Sequence, residues 1–307
     1  MVDDHHGHSH HRHGHAQANY GRAFAIGIAA NLAYLGGEAI AGIFSGSLAL
    51  LADAGHNLGD VLGLALSWGA AVLGRRQPSG RFTYGLRSSS ILAALANAII
   101  LLVVTGGIAW EAIWRISHPV QVASGIIIAV AVIGIFVNGG TALLFSSGTG
   151  DLNVKSAFFH LAADALVTAG VVAAGIAIWL TNWLWLDPAV SLVVSAVIVC
   201  GTWGLLKNAI GLALDAVPEG LDIAAVRAHL LALPGVAGLH DLHIWGMSTT
   251  ETALTCHLIM PHGHPGDIVL NEMAQQLHHR FGIQHATIQI ELADSDEACA
   301  LTPEHVV

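Results

Sequence analysis

Two copies of one pattern, His56-x-x-x-Asp60 and His160-x-x-x-Asp164, each lie inside a long apolar stretch. Ionisable residues at bilayer depth are costly and mark ion or substrate pathways. A spacing of four puts His and Asp on one helical face, one turn apart. Two such faces turned toward each other supply two imidazole nitrogens and two carboxylates, a four-ligand N/O set suited to tetrahedral Zn²⁺ or a similar divalent cation. The two carboxylates also cancel the ion's double charge, which matters where the dielectric is low. One intramembrane His-Asp pair is compatible with a hydrogen-bonded structural role; a matched pair on a second span points to metal.

The chain of 307 residues is 54% hydrophobic and only 10% charged, where a soluble domain averages about 25% charged. The apolar residues fall into six blocks, at roughly 22–44, 48–73, 88–114, 122–146, 156–181 and 187–207. Each supplies the ~20 apolar residues a helix needs to cross a bilayer. Residues 88–110, 122–145 and 188–206 contain no Asp, Glu, Lys, Arg or His, which suits lipid-facing or structural helices. The first, second and fifth blocks carry the polar groups: Asn31 and Glu38; Asp53, His56 and Asp60; His160 and Asp164. These three are expected to face one another inside an all-α six-helix transmembrane bundle. Gly55 and Gly59 permit close helix approach. Asp53 shares the His56–Asp60 stripe and is expected to be a hydrated helix-end carboxylate. Glu111 and Arg115 have ion-pair spacing, and Asp187 before Pro188 reads as the N-cap of its own helix.

The basic residues set the expected orientation. Arg75, Arg76, Arg81 and Arg87 follow the second span; Arg12 and Arg22 lie in the N-terminal segment, Lys155 after the fourth span and Lys207 after the sixth, while the opposite loops have only Arg115. Both termini are therefore predicted cytoplasmic. The first 20 residues have no apolar core, so no cleavable signal peptide is expected. The division predicted is a His-rich tail (1–21), the six-span domain (22–214), a cytoplasmic α+β domain (215–293) and a C-terminal tail (294–307). Residues 217–307 hold eleven acids and two bases, about −9 of the formal −10. That charge opposes nucleic-acid binding. Cys200, Cys256 and Cys299 have no metal or redox spacing, so no disulfide framework is implied; Cys200 and Cys256 read as core residues, Cys299 as a remote ligand candidate.

His5, His6, His8, His10, His11, His13 and His15 alternate with Gly, Ser and Arg without hydrophobic pattern. Such a segment is expected to be disordered and to bind metal weakly. In the C-terminal domain, 222–233 has helical periodicity, 238–245 and 252–260 read as strands, 266–281 as an amphipathic helix, and 286–292 as a last strand with Ile288, Ile290 and Leu292 inward. The order is α-β-β-α-β. His240, His243, His257 and His285 lie on or beside strands, and with Asp267 and Glu291 they offer one or more N/O metal sites. His262 and His264 fall in a turn and are expected to be solvent-exposed.

The chain resembles the cation diffusion facilitators, in their zinc-transporter-like branch. The resemblance spans nearly the whole chain. It rests on Ser-Leu-Ala-Leu-Leu-Ala-Asp-Ala-Gly-His-Asn-Leu-Gly-Asp (47–60), Thr-Tyr-Gly-Leu-Arg (83–87) leading into Ile-Leu-Ala-Ala-Leu-Ala-Asn-Ala (91–98), His-Asp-Leu-His-Ile-Trp (240–245) and His-Ala-Thr-Ile-Gln-Ile-Glu (285–291). It implies a homodimer in a bacterial plasma membrane that exchanges Zn²⁺ for protons by alternating access. The transport site would be His56, Asp60, His160 and Asp164, and the C-terminal domain would be metallochaperone- or ferredoxin-like. The resemblance also implies His240, His257 and Glu291 as ligands there, for a structural or regulatory Zn²⁺; no other cofactor is expected. Two departures stand out. The loop from Arg75 to Arg87 has no His or Asp, so a metal site some members carry there is expected to be absent. Ser88, Ser89 and Ser90 stand where many members have an acidic residue, leaving Asp215 with Arg87 as a candidate substitute for a charged interlock between subunits.

The function expected is zinc efflux by proton-coupled antiport, with cobalt, nickel or cadmium as alternative cargo. An intramembrane metalloenzyme would need an open metal position and a general base, as in H-E-x-x-H, and the chain has no such motif. A metal sensor without transport is the remaining class.

Overall fold

The computed structural model describes residues 21–146 and 152–292. Its long helices are α1 (Gly21–Ser45), α2 (Leu48–Gly74), α3 (Ser89–Ser117), α4 (Ser124–Ser146), α5 (Leu152–Thr181) and α6 (Leu186–Ala213). At about 1.5 Å per residue even α4 is roughly 35 Å long, more than the ~30 Å of a hydrocarbon core. Among the described residues, five stretches are long and apolar enough to cross a membrane: α2, α3, Ser124–Leu143 of α4, Leu161–Thr181 of α5, and α6. Trp68, Trp110, Phe136, Leu166 and Trp179 are exposed on their outer surfaces. A surface of that kind is matched to lipid rather than water.

The helices pack as α4 on α5, α3 on α6 and α2 on α3, with α1 against α2 and α4. α2 sits at the centre: Ala49 and Leu50 join Ile127, Ala131 and Val171 in one buried cluster, while Ala52 joins Leu101, Val194 and Ile198 in another. Gly59 permits the α2–α3 approach, because a Cβ there would lie 2.8 Å from Leu101 Cδ1. Glu111 and Arg115 form the ion pair their spacing suggests, at 2.8 Å, and Arg115 also donates to the Gly46 carbonyl.

Asp187 behaves differently from expectation. The N-cap of α6 is Trp185, and Asp187 lies buried inside its first turn. Its carboxylate accepts from the Ser47 hydroxyl and from the amides of Leu48 and Ala49. It therefore caps α2 rather than its own helix, satisfying amides that a helix start leaves orphaned. Packing α6 against the head of α2 decides this.

The C-terminal domain runs α7 (Ile223–Leu231), β1 (Gly238–Gly246), β2 (Thr252–Ile259), α8 (Asp267–Phe281) and β3 (Ile283–Glu291). The sheet order is β1-β2-β3, antiparallel then parallel. Leu254, Cys256 and Leu258 from β2 meet Val226, Leu230, Met273 and Leu277 in the core. Burial pushes the Cys256 thiol up to about 12, helped by the nearby Asp241 charge, so it behaves as a packing residue. Leu292, expected inward, is exposed beyond the end of β3.

This domain meets the membrane helices through the turn before α3. Arg87 Nη1 lies 2.7 Å from Glu251 Oε1. The Ser88 hydroxyl donates to the Met247 carbonyl, and the Thr249 amide donates to Ser90 Oγ. Within the chain Arg87 pairs with Glu251, and the backbone of Asp215 takes a left-handed turn at φ 57°.

Candidate metal centres

The first centre lies where α2 and α5 meet along a short stretch. Asp53, His56 and Asp60 recur at intervals of three and four, so the helix itself aligns them on one stripe. His56 Nε2 lies 3.3 Å from Asp164 Oδ1 on α5 and 4.0 Å from Asp60 Oδ2. One ligand atom from each of His56, Asp60 and Asp164 lies within 4.8 Å of the others. Metal–ligand bonds of about 2.0 Å at a tetrahedral angle separate two ligand atoms by roughly 3.3 Å. The His56–Asp164 pair already has that spacing, and Asp60 needs about 0.7 Å of closure toward His56 and at most about 1.5 Å toward Asp164. Asp164 is buried while His56 and Asp60 are partly accessible, as a site that loads and unloads requires. α5 carries His160 one turn before Asp164; its side chain lies outside the described residues.

Behind this centre is a buried polar network. Thr168 Oγ1 lies 2.9 Å from both Asp53 Oδ2 and the Asp164 carbonyl. Tyr34 donates to Glu38 Oε1 at 2.6 Å, and Asn57 Nδ2 donates to Glu38 Oε2 at 3.2 Å. Asp53 is therefore not a hydrated helix-end group: it is 1% exposed and held by α5. Thr168 escaped the sequence reading, although its place four residues after Asp164, on the same face, was available as a signal. Tyr34 has the same i,i+4 relation to Glu38.

The second centre is on the sheet. The register sets His240 directly opposite His257, and β3 brings Glu291 alongside Ile259 at the end of β2. Glu291 Oε2 is 2.8 Å from His240 Nε2, and Oε1 is 2.8 Å from His257 Nδ1. The rings of His240 and His257 stand edge to face, 4.9 Å between centroids. Donor atoms of the three residues lie within 4.8 Å of one another. Two imidazoles and a carboxylate fit a divalent cation of the zinc type, and a cation entering would open the two hydrogen-bond-length contacts by about half an ångström.

The remaining candidates lie elsewhere. Asp267 is exposed in the first turn of α8. His285 is exposed on β3 and meets the Tyr84 ring edge-on at 5.5 Å. His243 turns to Asp241, with Nε2 2.9 Å from Oδ1. His262 and His264 are exposed. The histidines of residues 5–15, and Cys299, lie outside the described residues.

Two family models match the chain: the cation efflux transmembrane domain over residues 24–212, and the cation efflux protein cytoplasmic domain over residues 218–293. The cation efflux system protein CzcD of Alcaligenes sp. (strain CT14) is 36% identical over 296 residues, 96% of this chain and 92% of that protein. The zinc transporter ZitB of Escherichia coli (strain K12) is 36% identical over 93% of this chain and 92% of its own length. The cadmium, cobalt and zinc/H(+)-K(+) antiporter of Bacillus subtilis (strain 168) is 32% identical over 83% of each.

Proposed function

Since this chain belongs to the cation efflux family, whose members are membrane metal transporters and not enzymes, we propose that it exports zinc from the cytoplasm in exchange for protons. The observation that carries the reading is the 3.3 Å approach of His56 Nε2 to Asp164 Oδ1 between two membrane-type helices. Four donors, His56, Asp60, His160 and Asp164, hold the cargo ion. The chain crosses the membrane six times, with α1 as the first span and both termini cytoplasmic, and works as a homodimer. The zinc transporters and the antiporter among its relatives support this assignment.

The coupling follows from the ligands. Zinc binds neutral imidazole and ionised carboxylate, so metal and protons compete for the same groups. A site open to the cytoplasm releases protons as it takes the ion. Facing the other side, it is reprotonated and lets the ion go. Histidine is the group best placed to change state near neutral pH. Binding at the membrane midplane, with helices rocking around the site, is the usual arrangement for such exchange.

In the C-terminal domain, His240, His257 and Glu291 hold a structural or regulatory divalent ion. The ion would link strands β1, β2 and β3 at one edge and supply a charge that these three side chains accept in deprotonated form.

Metal uptake into proteoliposomes under an imposed pH gradient tests the transport reading. Zinc accumulation that reverses with the gradient and disappears in His56→Ala and Asp164→Ala is the expected result. Zinc flux indifferent to the gradient would overturn the antiport. Cadmium or cobalt in place of zinc, the other cargo named for the Bacillus relative, would keep the site and change the substrate.

A further inference from the structure

We propose that Asp241 is a positioning residue for the C-terminal metal centre, holding His257 as the tautomer that presents Nδ1 to the ion. This rests on the reading that His240, His257 and Glu291 bind a divalent cation.

The geometry begins with an irregularity in β1. The register of β1 against β2 shifts between His240 and His243, so two residues of β1 fit where a regular ladder has one. Such a bulge re-aims side chains and recurs beside functional sites. Asp241 sits in it with φ 52°, a left-handed conformation that Asp and Asn enter more readily than other side-chain-bearing residues. A regular strand would send residue 241 to the face opposite His240. Here its carboxylate reaches His257 instead, with Oδ2 3.4 Å from Nε2, while Oδ1 lies 2.9 Å from His243 Nε2.

The result is an alternating chain of imidazoles and carboxylates. His243 meets Asp241, Asp241 meets His257, His257 meets Glu291, and Glu291 meets His240, at 2.9, 3.4, 2.8 and 2.8 Å. His257 therefore stands between two carboxylates, one on each ring nitrogen. Nδ1 is the nitrogen that meets the Glu291 carboxylate, the ligand His257 shares with His240. For that nitrogen to bind an ion its lone pair must be free, which puts the ring proton on Nε2, facing Asp241. A carboxylate behind a ligating imidazole fixes the tautomer and the ring plane and strengthens the ligand. Asp241 is well shielded, its side chain 11% exposed, so this contact is not diluted by water.

The test is a zinc titration of the full-length purified protein against a chelating indicator, in an Asp60→Asn/Asp164→Asn background that silences the membrane centre. His257→Ala should lose one bound ion per chain. Asp241→Asn and Asp241→Gly both suit a left-handed backbone and should keep the ion count while weakening that site by about 10- to 100-fold. Asp241→Glu should recover most of the affinity. The thermal midpoint of the metal-free protein should stay unchanged in Asp241→Asn and Asp241→Gly, a result a merely structural role would not produce. An unchanged ion count in His257→Ala would overturn the centre itself. Loss of the ion in His257→Ala with affinity within twofold in both Asp241→Asn and Asp241→Gly would overturn the role of Asp241 alone.

Discussion

The buried Asp187 carboxylate on α6 accepts a hydrogen bond from the Ser47 hydroxyl, tying together two residues 140 positions apart at the head of α2. The same carboxylate takes the Leu48 amide at 2.8 Å. α2 carries His56 and Asp60, so its start is anchored on a helix that contributes no expected ligand. Asp187→Ala would leave these donors buried without an acceptor, at a cost of about 1–3 kcal/mol per unsatisfied group. The thermal unfolding midpoint in detergent should fall clearly, and by less for Asp187→Asn, which keeps one acceptor oxygen. An unchanged midpoint for Asp187→Ala would contradict the capping role.

Gly134 on α4 leaves the space that Tyr34 occupies. A Cβ at this position would lie 2.2 Å from the Tyr34 hydroxyl oxygen and 2.5 Å from Cζ. Gly134→Ala must therefore push the ring away from Glu38, and overpacking of this kind costs typically 1–3 kcal/mol. Truncating the ring removes the clash, so Gly134→Ala combined with Tyr34→Ala should be less damaging than the sum of the two single changes. Strict additivity in the double-mutant cycle would show that the ring is not what Gly134 accommodates.

The Arg87–Glu251 pair joins the turn before α3 to the C-terminal domain, but both side chains are substantially exposed, 42% and 34%. An ion pair so placed is worth less than about 1 kcal/mol and is screened by salt. Arg87→Glu or Glu251→Arg should lower stability slightly at low ionic strength and hardly at all at high. The exchanged pair should recover the loss. A loss that persists at high salt would mean that Arg87 acts through packing.

His229 gives the C-terminal domain a weak acid sensitivity. Burial, and then the Arg280 guanidinium, hold its pKa below the ordinary 6.5. The unfolded chain therefore takes up a proton at a pH where the folded chain does not, and stability is lost as pH falls through 6.5. Replacing the side chain with one that does not titrate, His229→Gln, should flatten the stability–pH curve as pH falls through 6.5. An identical slope in the variant would count against a depressed His229.

The candidate centres were legible to different depths. His56, Asp60 and Asp164 stand out because ionisable groups inside an apolar block are energetically conspicuous, and a spacing of four has one geometric meaning on a helix. Asp53 is conspicuous for the same reason, but its buried place against Thr168 of α5 is set by helix packing, which its own spacing does not report. In the C-terminal domain, composition alone offered His243, His285 and Asp267 beside His240, His257 and Glu291. The register of three strands separates the last three from the others. Asp241 carries no such signal, because a regular strand alternation turns it to the face opposite His240.

The helix blocks, the α-β-β-α-β order and the residue types able to hold a metal follow from the chain alone, because transfer energies and the periods 3.6 and 2 are local properties. That Asp187 caps α2, that Arg87 meets Glu251, and that a one-residue bulge aims Asp241 at His257 are outcomes of packing. Those outcomes depend on which segments lie side by side and in what register, and a shift of one residue in a strand reverses the face of every side chain beyond it.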